Sequence, residues 1–211
     1  MMWYMRIISG LVLALSCQLA IAGAYEDVMD AIEKNDPVVV NQLLKRGLDV
    51  NTTDREGNTL LMLSARNGSG GVVKALLAAQ AKVTLSNALG ETALMLAALN
   101  NHLEVAKELL ARGAIVNQAG WTPLIYAAVK GNLEISRLLL SHGAQINATA
   151  DNGYTALMMA AREGQRELVA LLLANGADPH LKTDGGLTAV AIARTFKRNE
   201  IAEILAKAEP N

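Results

Sequence analysis

The chain contains one cysteine, Cys17, among 211 residues. No disulfide can form within it, and no cysteine-based zinc spacing is possible. Histidine is almost as scarce: His102, His142 and His180 are the full set. Aromatic residues make up 3% of the sequence, and beyond residue 24 they are Tyr25, Trp121, Tyr126, Tyr154 and Phe196. An excess of one charge is also missing. Nineteen basic residues stand against twenty acidic ones, for a formal net charge of −1, and the basic residues are scattered. A dedicated nucleic-acid surface is therefore not expected. No nucleophile–base pair and no nucleotide-binding glycine loop can be picked out, so the sequence points away from catalysis and no cofactor is expected. Asp151, Asp178 and Asp184 read as turn formers rather than acids of a catalytic pair.

What the sequence has instead is apolar residues, 52% of the total. The first 24 residues use them differently from the rest. Arg6 is the only charge before Glu26 and precedes an apolar run, Ile7–Leu15, that thins out towards Ala22. Small residues at −3 and −1 spacing occur as Ala20-Ile21-Ala22 and again as Ala22-Gly23-Ala24. This is the outline of a secretory signal peptide over residues 1–24, with cleavage before Gly23 or Tyr25. Two other readings exist. An uncleaved membrane anchor is disfavoured by Ser9, Gly10, Ser16 and Gln18, and lipidation of Cys17 by the imperfect lipobox Ala14-Leu15-Ser16. Cleavage after Cys17 leaves a chain without cysteine, suited to an oxidising compartment. The expected destination is the periplasm of a Gram-negative bacterium, with no membrane attachment once the leader is gone.

From residue 25 onward the sequence repeats. Gly90-Glu91-Thr92-Ala93-Leu94 is matched by Gly57-Asn58-Thr59-Leu60-Leu61, Gly120-Trp121-Thr122-Pro123-Leu124, Gly153-Tyr154-Thr155-Ala156-Leu157 and, in worn form, Gly186-Leu187-Thr188-Ala189-Val190. The threonines stand at 59, 92, 122, 155 and 188, in steps of 33, 30, 33 and 33. A fixed period of this length indicates a stacked array rather than one globular core. Each threonine can cap the first turn of a short helix, and Pro123 falls where a missing N–H costs nothing. Pairs of small residues follow (Ser64-Ala65, Ala97-Ala98, Ala127-Ala128, Ala160-Ala161), then a turn at Gly68, Asn101, Gly131 or Gly164. Second helices are predicted at Val72–Ala79, Leu103–Ala111, Leu133–Ser141 and Leu168–Ala174, each with a run of leucines to bury. Neither helix of a unit is long enough to stand alone in water.

These residues resemble the ankyrin repeat family over roughly 25–208. The resemblance implies an all-α solenoid of about six helix-turn-helix units with short β-turn fingers: 25–53 as N-terminal cap, 54–86, 87–119, 120–149, 150–182, and 183–208 as C-terminal cap, with 209–211 as a tail. One family feature is absent. The histidine usual two residues before the small pair is replaced by Met62, Met95, Ile125, Met158 and Ala191. The threonine–histidine bonds of the family are thus expected to be missing, with methionine filling the space apolarly.

The family's first helices and fingers line a concave groove that usually binds another protein, and a monomer with a protein partner is what the resemblance implies here. Trp121 and Tyr154 occupy groove positions that the framework does not require to be aromatic. The 30-residue step removes three residues from the finger just before Trp121. A contact patch of Leu89, Leu99, Trp121, Tyr154 and Arg162 follows, with Tyr126 at its margin. The alternative reading is that Trp121 merely plugs the gap left by the deletion. The resemblance to small exported bacterial ankyrin proteins implies one of two roles: support of a periplasmic or oxidative-defence enzyme, or neutralisation of a toxin by an immunity protein. A purely structural envelope role has no polymerising edge to support it.

Overall fold

A computed structural model describes residues 23–208. The expected signal peptide lies outside the described residues except for its last two positions, and the tail 209–211 lies outside them as well. The described residues form twelve helices and no extended strand. They come in pairs: α1 (23–33) with α2 (Pro37–Lys45), α3 (Leu60–Asn67) with α4 (Gly70–Ala78), and α5 (Ala93–Leu99) with α6 (Leu103–Ala111). The series continues with α7 (Pro123–Lys130) and α8 (Leu133–Ser141), α9 (Ala156–Glu163) and α10 (Arg166–Ala174), and α11 (Ala189–Thr195) and α12 (Asn199–Ala208). The solenoid of six units is the observed architecture.

Every predicted threonine cap is present. Thr59, Thr92, Thr122, Thr155 and Thr188 are extended at the cap, and each hydroxyl accepts the N–H three residues on. The methionines do more than fill space. Met62 and Met95 turn their sulfurs back to the Thr59 and Thr92 N–H groups at 3.4 Å, completing a reciprocal cap with a thioether where the family has an imidazole. A thioether is a weak acceptor, but here it meets a buried donor that no solvent reaches. The small pairs behind the caps are fully buried, and they let α3, α5, α7, α9 and α11 approach one another more closely than the second helices do. Tighter spacing on one side curves a stack towards that side, so the first helices line the concave face.

Of the four predicted second helices, α6 and α8 have the expected bounds and two start earlier. α4 begins at Gly70 and α10 at Arg166, two residues earlier than predicted. For α4 the cause is on the preceding unit: Asn35 Oδ1 accepts the N–H groups of Gly71 and Val72 at 2.9 and 3.2 Å, holding two glycines in helix. The cap residues of α4, α6, α8 and α10 (Ser69, His102, Asn132, Gln165) do not cap their own helices. Three of them reach back to the unit before. Ser69 Oγ donates to the Ile32 carbonyl at 2.6 Å, His102 Nε2 lies 3.1 Å from the Arg66 carbonyl, and Asn132 Nδ2 donates to the Ala98 and Leu99 carbonyls at 2.7 and 3.1 Å. Arg198, just before α12, does the same to Arg162 at 3.2 Å. In the first unit, which has no predecessor, Asp36 caps its own α2 instead. The close approach also explains the turn glycines: a Cβ on Gly68 would stand 2.4 Å from the His102 ring, at a φ of +77°.

Removing a rung of this ladder strands a buried carbonyl. Asn132→Ala is expected to lower unfolding free energy by about 1–3 kcal/mol in urea denaturation. Gln165→Ala, at the same register but making no such bond, is expected to cost less; equal losses would show that the carbonyl contact is not what stabilises the junction.

Candidate functional site

The fingers project from the N-terminal ends of the first helices. Isolated antiparallel bridges close them at Thr53–Thr59, Ser86–Thr92 and Thr149–Thr155. Local polar groups stiffen the tips: Asp54 accepts from the Glu56 and Asn58 backbones and from the Asn58 side chain, and Asn87 serves the next finger likewise. Adjacent fingers are joined by the Ala88 N–H to the Glu56 carbonyl at 3.1 Å, and by the Asp184 N–H to the Asn152 carbonyl at 3.2 Å.

The shortened finger before Trp121 has neither feature among the described residues. It lacks the bridge, and no backbone bond ties it to a neighbouring finger. Gln118 substitutes, its side-chain amide donating to the Gly90 carbonyl at 3.2 Å and approaching Met95 Sδ at 3.8 Å. The row of fingers is thus interrupted at its middle. Beside the interruption Leu89 is 83% exposed, the most exposed large apolar side chain of the described residues.

Trp121 is half-buried against the core and meets Tyr126 edge to face, with ring centroids 5.5 Å apart. The Tyr126 hydroxyl donates to Glu91 Oε1 at 2.8 Å, and Asn87 Nδ2 donates to Glu91 Oε2 at 2.8 Å. Burial first, then the bond to Glu91 and its negative charge, raises the Tyr126 pKa well above its ordinary value of 10.0. Trp121, Tyr126, Glu91 and Asn87 are therefore one connected set spanning two units. Trp121 does fill the gap in part, while part of it stays open to solvent.

The remaining predicted residues are spread along the groove. Tyr154 and Leu99 are half-buried against or beside the core, at the finger end and the turn end of their helices. Arg162, in the last turn of α9, is directed towards the C-terminal cap: its guanidinium carbon is 5.1 Å from the Phe196 ring centroid. Leu89, Trp121 and Tyr154 belong to three consecutive finger-side positions; Leu99 and Arg162 lie along the opposite edge. The histidines are apart from one another. His102 serves the ladder, His142 Nδ1 lies 2.9 Å from the Leu138 carbonyl, and the His180 N–H caps on Asp178. Asp151 and Asp184 lie in turns as expected, and Asp178 accepts the local His180 N–H. On the convex side Gly70 and Gly71 leave a shallow cleft of about 470 Å³ between α4 and α6, rimmed by Lys74, Glu104, Lys107 and Glu108. No helix of the described residues is long and apolar enough to cross a membrane.

Sequence reasoning did not find Gln118, Asn87 and Glu91 as supports of the aromatic set. The signal available was the deletion itself, since whatever replaces a finger must come from its flanks.

A comparison with protein families agrees with this architecture. The family described as "Ankyrin repeats (3 copies)" matches residues 28–119, 65–150, 113–183 and 147–211, which together span nearly the whole described chain. The chain belongs to the ankyrin repeat family. Members of this family are generally non-enzymatic modules that bind other proteins. No curated protein matches the chain.

The Tyr126–Glu91 bond has a measurable consequence. Because the folded-state pKa of Tyr126 is raised, the stability it contributes is intact below pH 10 and is lost as pH rises through the folded value. Glu91→Gln is expected to bring Tyr126 ionisation down towards the ordinary tyrosine range, seen as phenolate absorbance missing from a Tyr126→Phe control. An unchanged titration would show that Glu91 exerts no influence on the hydroxyl.

Proposed function

We propose that this array is exported to the periplasm and acts there by holding another protein in its concave groove, in support of a periplasmic enzyme. The contact patch comprises Leu89, Leu99, Trp121, Tyr154 and Arg162. The observation that carries the reading is the interruption of the finger row at Trp121. A stack that needed only stability would keep its fingers paired. This one gives up a bridge and a finger-to-finger bond, and it displays a half-open tryptophan beside an exposed leucine tip. Trp, Tyr and Arg are the side chains that most often dominate binding energy at interfaces, through burial of large rigid surface at little entropic cost. Export rests on the leader-like composition of residues 1–24 and on a mature sequence free of cysteine.

The test is capture of a partner from the host's periplasmic extract by the mature chain, followed by titration calorimetry with that partner once purified. Trp121→Ala/Tyr154→Ala is expected to raise Kd at least about tenfold, a loss of about 1.4 kcal/mol or more. The partner's enzymatic activity should persist in the complex. An unchanged Kd would remove the patch from the interface, and abolished activity would replace support by inhibition.

A further inference from the structure

Arg162 is the one described residue with a buried side-chain nitrogen that finds no hydrogen-bond partner. Buried donors are nearly always satisfied, so an orphan calls for an explanation. The atom is Nε, while the side chain as a whole is 41% exposed and the two outer nitrogens are neither buried nor hydrogen-bonded among the described residues. The guanidinium itself has two neighbours: Phe196 lies against it, with its ring centroid 5.1 Å from the guanidinium carbon, and Glu163 faces its Nε side. Glu163 Oε1 approaches Nε at 3.5 Å but makes no hydrogen bond with it. Neighbouring arginines are committed elsewhere: Arg166 pairs with Glu200 at 3.0 Å, and Arg198 serves the ladder. Arg194 and Lys197 are exposed nearby in sequence, and among the described residues no carboxylate lies within 4 Å of either. Phe196 itself is 42% exposed.

We infer that Arg162 is a receptor for a carboxylate of the protein partner, an aspartate or glutamate flanked by an apolar residue that closes over Phe196. This rests on the protein-binding reading above and gives part of that surface its chemistry. A guanidinium presents a planar fork that matches a carboxylate in two parallel bonds, and stacking on a ring fixes the fork before the ligand arrives. The ordering entropy is then already spent in the free protein. Glu163 beside the fork decides between anions. It tolerates one negative charge shared with Arg162, but it repels a doubly charged phosphate. The half-exposed phenyl ring adds an apolar contact that a peptide supplies and a free anion does not.

The test uses isotope-edited NMR of the arginine Nε–Hε resonances in the full mature chain. The probes are a blocked Gly-Leu-Glu-Phe-Gly peptide, its glutamine counterpart, and inorganic phosphate. The glutamate peptide is expected to shift the Arg162 resonance to saturation, while the glutamine peptide and phosphate bind at least about tenfold more weakly. Arg162→Lys, which lacks the Nε–Hε probe and is therefore titrated through its backbone amide resonances, should weaken the glutamate peptide by about tenfold, because an ammonium cannot form the paired bonds. Phe196→Leu keeps an apolar cover but loses the stacked ring and should weaken it severalfold. Equal binding of the glutamate and glutamine peptides, or of phosphate, would overturn the assignment, as would no shift with any probe or full binding by Arg162→Lys. The groove reading is tested separately, by the effect of Trp121→Ala/Tyr154→Ala on the Kd of the protein partner. Loss of the carboxylate receptor alone would therefore leave the groove reading standing.

Discussion

The structure depends on a bond between neighbours: at most junctions a side chain at the head of the second helix reaches back to carbonyls at the end of the preceding unit's first helix. Ser69, His102, Asn132 and Arg198 make this bond in four of the five junctions. Helices of seven to eleven residues have too few internal bonds to persist alone in water. Each unit becomes stable only when its open carbonyls and its apolar face are covered by the next. The same contact bears on two of the turn glycines, because His102 at Gly68 and Arg198 at Gly164 occupy the space that a Cβ would need. It also explains why the second helices forgo their own caps. At Ser69 and Asn132 the carbonyl reached is buried, and satisfying it outweighs satisfying an N–H that water can serve.

Against that regularity, the shortened finger at Trp121 stands out. The helices on both sides stay in register, since α5 and α7 pack as closely as other first-helix pairs. The deletion is therefore absorbed entirely in the finger row, where it opens surface without weakening the stack. Gln118, Asn87 and Glu91 repair the polar part of the gap, and Trp121 with Tyr126 repairs the apolar part. Stability and recognition are thus assigned to different layers: the ladder and the small pairs hold the array, and the interrupted row shapes what it presents.

Much of the fold could be read from the sequence because it follows from periodic, local chemistry. Threonine caps, paired small residues and turn glycines recur at one spacing, and each has a short-range physical role. The ladder could not be read, for a definite reason. Its register is occupied by serine, histidine, asparagine, glutamine and arginine in turn, since the only requirement is a polar group long enough to reach a carbonyl. Similarity of residue type, which reveals a repeat, conceals such a position. The methionine sulfurs were legible as fillers and not as acceptors, because that role appears only with the direction of the side chain. The exposed and half-buried places of Leu89 and Trp121 follow from the deletion. The turn of Arg162 towards Phe196 in the next unit depends on packing across units and carries no local signature.

The central claim is that the concave, finger-bearing face receives a protein. The most direct measurement is photocrosslinking in the host, with a photoreactive residue at Leu89 on the finger tip or at Glu134 on the convex face. The account predicts a discrete protein adduct from position 89, diminished when Trp121 and Tyr154 are replaced by alanine, and none from position 134. Adducts of equal yield from both positions, or from position 134 alone, would contradict it.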